Sequence, residues 1–250
     1  MAHKGFTTRI LHADRLGGTE FGSMHQAVHT SAAYAFRKTR ELIDIFQGRR
    51  AGYAYSRQNN PTNAALERKL TAMEEGVGTI CFASGMAATA ALCLALLKRG
   101  DHLVASRFLF GNTTSLFETL ASHGIEVSYA DVTDTARVAP LLRPSTRLVF
   151  TETIANPATQ VADLAGLGEL CAARAIPLAV DNTMTGPYLF LPRRVAATFS
   201  IHSLTKSIAG HGDALGGSLT DLGTFDWAKY PNIREAWRSV EAPLQALTQV

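Results

Sequence analysis

The chain has 250 residues, 46% of them hydrophobic, enough to bury one substantial core with an appended arm. Its 24 basic and 21 acidic residues leave a net charge of +3 and form no basic stripe, which argues against nucleic acid and membrane surfaces as partners. No apolar run reaches the length of a membrane span, and Met1-Ala2-His3-Lys4-Gly5 lacks a signal-peptide core, so the expected location is cytoplasmic.

Residues 1–60 hold no steady period. They carry Gly17-Gly18, a short helical stretch near 40–47 and a Gly/Tyr/Asn-rich loop ending at Pro61, and so read as an arm without a core of its own. From Thr62 the pattern changes. Leu66, Leu70 and Met73 stand at helical spacing, after the start signal Asn60-Pro61 and before the stop at Gly76. Strands and helices then alternate. Strands are expected at 79–83, 102–105, 126–130, 147–150 and 176–180, and helices at 86–98, 113–123, 135–142 and 163–174. A further β-rich run covers 198–202. Such alternation with short apolar strands implies right-handed crossovers and an α/β fold, its mostly parallel sheet flanked by helices. The division expected is an arm over 1–60 and one large domain over 61–250. No repeat or low-complexity tract is visible, and the chain reaches Gln249-Val250 inside what reads as the start of another segment.

Cys81, Cys93 and Cys171 are odd in number and lie in apolar segments, so buried free thiols are expected rather than disulfides. The eight histidines form no His-x-x-x-His pair, and no metal is assigned.

Ligands of parallel sheets bind at the carboxyl ends of the strands, and the chemically loaded segments fall there. The apolar run 176–180 delivers Asp181, and the run 198–202 delivers Ser203-Leu204-Thr205-Lys206, followed by Gly210-His211-Gly212-Asp213. A Schiff-base lysine needs an electron sink, and a pyridine ring serves as one when a carboxylate keeps its nitrogen protonated. An Asp strand followed by a Lys turn is therefore the minimal constellation for pyridoxal phosphate (PLP). Ser84-Gly85-Met86-Ala87 marks a strand-to-helix turn whose free N–H groups and helix dipole attract an anion, although an ordinary Ser-capped helix start has the same appearance. Tyr55 and Arg57 supply a hydroxyl and a bidentate phosphate donor, or else are a solvated loop pair. Asn156, before Pro157, is by itself a turn residue.

Taken together, Tyr55-Ser56-Arg57-Gln58-Asn59-Asn60-Pro61-Thr62, Ser84-Gly85-Met86-Ala87-Ala88, Glu152-Thr153-Ile154-Ala155-Asn156-Pro157, Asp181-Asn182-Thr183 and the Lys206 segment stand in one family's order. From about Tyr53 to Gly217 the chain resembles the PLP-dependent enzymes of cysteine and methionine metabolism, the trans-sulfuration family. The resemblance implies a fold type I transferase with Lys206 as catalytic Schiff-base residue and Asp181 at the ring nitrogen. It implies Gly85, Met86, Ser203 and Thr205 at the phosphate and Asn156 at the 3′-oxygen, with Thr183 beside Asp181. Phe110 would lie on the ring face, where the family usually has a Tyr, so stacking survives and the phenol is lost. Asn112 occupies the place of a Cys in methionine γ-lyases, which weakens that reading. Glu152 matches a family slot only loosely and receives no catalytic role.

The same resemblance implies that Tyr55 and Arg57 serve the neighbouring chain's cofactor in a homodimer or homotetramer with shared sites. It also implies a small C-terminal domain, absent from these 250 residues, that would hold the substrate α-carboxylate. The expected reaction is γ-replacement on an O-acylhomoserine by a thiol or sulfide. The alternatives are a γ-lyase acting on a sulfur amino acid, and a non-catalytic PLP-binding or oligomerising fragment.

Overall fold

The computed structural model describes residues 5–15 and 18–232. Gly17 and the Gln249-Val250 end lie outside them. In chain order the helices and strands are α1 (Phe6–His12), α2 (Thr39–Phe46), α3 (Pro61–Glu74), β1 (Gly78–Phe82), α4 (Gly85–Leu96), β2 (His102–Ser106), α5 (Gly111–Ser122), β3 (Glu126–Ala130), α6 (Thr135–Val138), β4 (Thr146–Glu152), α7 (Leu164–Arg174), β5 (Leu178–Asp181), α8 (Gly186–Leu189), β6 (Phe199–Ser203) and β7 (Gly217–Asp221). Short 3₁₀ turns fill several connections.

The seven strands form one sheet in the order β1-β7-β6-β5-β4-β2-β3. The pairs among β3, β2, β4, β5 and β6 are parallel, while β7 runs antiparallel to both of its neighbours, β6 and β1. The expected mostly parallel α/β sheet is present, and β7 is an element that the hydrophobic pattern did not announce.

Period-two alternation sends side chains to two cores. Leu103, Ala105, Leu148, Phe150, Ala179, Phe199, Ile201 and Leu219 face α4 and α5, where Phe117 meets Phe150 edge-on at 5.2 Å. Val104, Val149, Leu178 and Val180 face the other way, against Leu167 and Cys171 of α7. Each fully buried side chain of this size contributes roughly 1.5–3 kcal/mol. On this second face the lining turns polar beneath α3. Glu74, at the end of α3, receives hydrogen bonds from Ser200 at 3.0 Å and from His202, all three being buried, and Thr79 bonds Thr220 at 2.8 Å.

The helix starts follow their caps. Asn60 accepts from the Thr62 amide at 2.8 Å, with Pro61 at the first helical position, and Ser84 and Asp163 accept from Ala87 and Gly166 at 3.1 Å. Of the expected arm, α1 packs onto α3. Phe6 and Ile10 lie against Leu70 and Met73, and Arg9 bonds the Ala72 carbonyl and Glu75. Between residues 18 and 59 no residue is buried.

Cys93 and Cys171 are buried and Cys81 is half-buried; all three are free, and burial pushes their thiols up to about 12. Among the described residues no helix is long and apolar enough to cross a membrane, and no three His, Cys, Asp or Glu side chains gather as a metal site.

Candidate active site

Parallel strands end on one edge of the sheet, and there the connections after β1, β2, β4, β5 and β6 enclose a cavity of about 530 Å³. Ser84, Gly85, Met86, Phe110, Asn156, Asp181, Thr183, Ser203, Thr205 and Lys206 all line it. Tyr55 and Arg57 do not. They stand exposed in the arm, the Arg57 guanidinium 5.4 Å from the centre of the Tyr55 ring.

One end of the cavity is built for an anion. The N–H groups of Gly85 and Met86 open helix α4, where no turn precedes them to supply intrahelical acceptors. Two glycines bring this turn against the sheet. A Cβ on Gly85 would lie 2.9 Å from the Ser203 Cβ, and one on Gly217 would lie 2.0 Å from the Ser84 carbonyl oxygen. The Thr205 hydroxyl accepts from the Gly216 amide at 3.2 Å and lies 3.4 Å from the Gly216 carbonyl, which closes the base of the Lys206 loop. Lys206 itself is exposed to the cavity.

Farther along, Asp181 ends β5. One of its oxygens accepts from the Thr183 amide at 3.0 Å, and the Thr183 hydroxyl accepts from the Ser203 amide at 2.8 Å. Thr183 thus ties the carboxylate strand to the lysine strand. Burial raises the Asp181 pKa, opposed by the Thr183 hydroxyl and amide and by His202. A cationic ring nitrogen facing this carboxyl would pull its proton off.

Glu152, to which sequence reasoning gave no role, stands beside Asp181 in register and also lines the cavity. Burial pushes its carboxyl up to about 7; the amides of Phe110 and Asn156 oppose the shift and the Asp181 charge adds to it. The signal for Glu152 was its place at the end of an apolar strand. Phe110, Met184 and Leu215 form an apolar rim and are 42%, 52% and 80% exposed.

The donor set suits a flat cofactor with an acidic tail. Two helix-end amides and the Ser203 hydroxyl could hold a phosphate, Asp181 a ring nitrogen, Asn156 a ring oxygen, Phe110 a ring face and Lys206 an aldehyde carbon.

An α/β domain that brings a lysine, a half-buried carboxylate and an anion-binding helix turn to one sheet edge has the parts that a PLP-binding fold requires. A family model described as Cys/Met metabolism PLP-dependent enzyme matches residues 7–247, and the chain belongs to that family. It is 36% identical to an O-acetyl-L-homoserine sulfhydrylase of Corynebacterium glutamicum over 225 residues, 89% of this chain and 52% of the relative. It is 33% identical to an L-methionine γ-lyase of Fusobacterium nucleatum subsp. polymorphum over 245 residues, 97% of this chain and 62% of that one. A solved Campylobacter jejuni structure, assigned as an O-acetylhomoserine (thiol)-lyase and carrying N′-pyridoxyl-lysine-5′-monophosphate, superposes with a TM-score of 0.83 at 26% identity. The match covers 98% of this chain and 68% of that one. The chain therefore spans about half the length of the sulfhydrylase and under two thirds of the lyase.

Proposed function

We propose that the chain is the PLP-binding large domain of a cytoplasmic enzyme that replaces the γ-substituent of an O-acylhomoserine with a thiol or sulfide. The observation that carries the reading is the single cavity that collects Lys206, Asp181, Asn156, Phe110 and the α4 turn from five separate connections. The relatives include sulfhydrylases and a γ-lyase, so the family is common ground and the reaction type is the proposal. Asn112, where methionine γ-lyases carry Cys, favours replacement over elimination.

In this reading the amides of Gly85 and Met86 and the hydroxyl of Ser203 bind the phosphate, while Thr205, expected there from the sequence, is engaged with Gly216 and shapes the loop instead. Phe110 orients the ring by stacking, and Asn156 donates to its oxygen. Asp181, anionic opposite the ring nitrogen, holds the proton there. PLP, when bound, supplies the electron sink for cleavage of the substrate Cα–H bond. Lys206 would carry the cofactor covalently, and its Nζ, freed by the substrate amine, would take the Cα proton and then a Cβ proton as the acyloxy group leaves Cγ. It would return one to each of those two carbons after the thiol sulfur has bonded to Cγ. Leu215 and Met184 border the mouth and limit water. Tyr55 and Arg57 lie outside the chain's own cavity and are assigned to that of a second copy, so the competent unit is a homodimer or homotetramer.

The test uses the complete product of the gene. O-acetylhomoserine and O-succinylhomoserine are each given with sulfide or cysteine, and thioether or homocysteine formation is measured against 2-oxobutanoate release. Replacement product in excess supports the proposal. 2-Oxobutanoate alone means a γ-lyase, and neither product with PLP still bound means a non-catalytic chain.

A further inference from the structure

Phe110 and Asn156 stand on different connections, 107–110 after β2 and 153–163 after β4, and approach the cavity from separate strands. Neither connection holds a helix or a strand of the sheet; 153–163 is closed on itself by the Ile154–Val161 bridge and by the Ala155 amide on the Gln160 carbonyl at 2.9 Å, which leaves its position relative to Phe110 to contacts between the two. Glu152 lies between them at the end of β4, 8% exposed. Its Oε1 accepts from the Phe110 amide at 2.6 Å and its Oε2 from the Asn156 amide at 3.1 Å. Each oxygen of one carboxylate thus holds one of the two connections, and Asp181 follows next in register.

From this geometry we infer that Glu152 is a positioning residue, a two-armed clamp that sets Phe110 and Asn156 on the face and edge of the bound ring. The inference rests on the PLP reading of the cavity. Above about pH 7, where Glu152 is ionised, its carboxylate accepts on both oxygens, whereas a carboxamide offers one acceptor and turns a donor toward the other amide. Charge-assisted bonds to backbone N–H are among the stronger ones, so breaking one arm should be visible in ligand affinity.

The experiment compares PLP affinity of wild type, Glu152→Gln and Glu152→Asp by equilibrium dialysis above about pH 7, where Glu152 is ionised, with the thermal transition of each cofactor-free protein as the check on folding. E152Q should lose roughly tenfold or more in PLP affinity while the cofactor-free protein melts cooperatively. In an Asn156→Ala background the E152Q loss should shrink, because the clamp then has less to position. If E152Q fails to fold, E152D carries the same test, since it keeps the charge but is one methylene too short to reach both amides. Unchanged affinity in the variant that folds, or a loss just as large without Asn156, would overturn the clamp and leave the PLP reading intact. A wild-type protein that takes up no PLP at Lys206 would overturn both.

Discussion

Replacing Gly217 with alanine tests how the sheet shapes the anion end of the site. The new Cβ would fall 2.0 Å from the Ser84 carbonyl oxygen, 2.3 Å from its carbon and 2.7 Å from the Gly85 nitrogen. All three are backbone atoms of the turn that opens α4, so no flexible side chain can swing aside; the turn or β7 must move by about an ångström. Overpacking costs about 1–3 kcal/mol, and rigid neighbours place this case at the upper end. At about 2–4 °C per kcal/mol for a chain of this size, the melting temperature should drop by roughly 6–12 °C. PLP affinity should fall as well, because the displaced atoms include the Gly85 amide. Gly216→Ala is the control. Its Cβ would meet only the Leu204 side chain, at 3.3 Å, which can adjust. Differential scanning fluorimetry and PLP titration of both variants read the outcome. A G217A protein within about 2 °C of wild type, binding PLP equally well, would refute the argument from close approach.

Borohydride reduction followed by peptide mapping should place the pyridoxyl label on Lys206; a label on Lys98 or Lys229 would remove the assignment. Asp181→Asn should retain PLP and lose well over tenfold in kcat, each tenfold being about 1.36 kcal/mol, and activity within a few-fold of wild type would count against its role. Inactive Lys206→Ala and Arg57→Ala chains, exchanged in mixed oligomers of the complete protein, should recover some activity in the hybrid site, whereas none after verified exchange points to a site within one chain. Burial holds the Glu152 proton in the folded chain up to about pH 7, and the unfolded chain releases it near 4.5. The stability from that proton is therefore full below about 4.5 and lost as pH rises through about 7. E152Q should flatten that part of the cofactor-free protein's stability profile, and parallel curves for the two proteins would contradict it.

The parallel strands were legible because 102–105, 147–150 and 176–180 are apolar runs buried on both faces, and the helices between them carried caps and spacing. β7 was not, since Leu219 is the only large apolar residue among Gly217-Ser218-Leu219-Thr220-Asp221. Its buried Thr220 pairs with Thr79 under α3, and its buried Ser218 hydroxyl has no hydrogen-bond partner among the described residues, so two of its five positions are buried without the apolar character that would mark a core strand. Asp181 and Lys206 could be read from the strand ends that deliver them, whereas Phe110 and Asn156 were legible only through the family resemblance, since an aromatic before a helix or an Asn before Pro157 is common by itself. Glu152 could not be ranked, because its partners are amides 42 and 4 residues away, and backbone groups leave no mark in sequence. Nor did sequence indicate that the Thr205 hydroxyl spends its bonds on Gly216.

The antiparallel insertion of β7 has a consequence for how the protein is made. Among the described residues β1 pairs only with β7, Gly78 opposite Asp221, so the first strand of this sheet to leave the ribosome waits for the seventh. Until β7 emerges, β1 has two unpaired edges and the outer edge of β6 is open, all of them templates for pairing with another chain. Closing so long a loop is slow compared with the local βαβ steps. The Lys206 segment spans β6 and β7, so the lysine gains its seat only when β7 enters. A nascent chain halted before Gly217 would be both unable to assemble the pocket and at its most prone to aggregate.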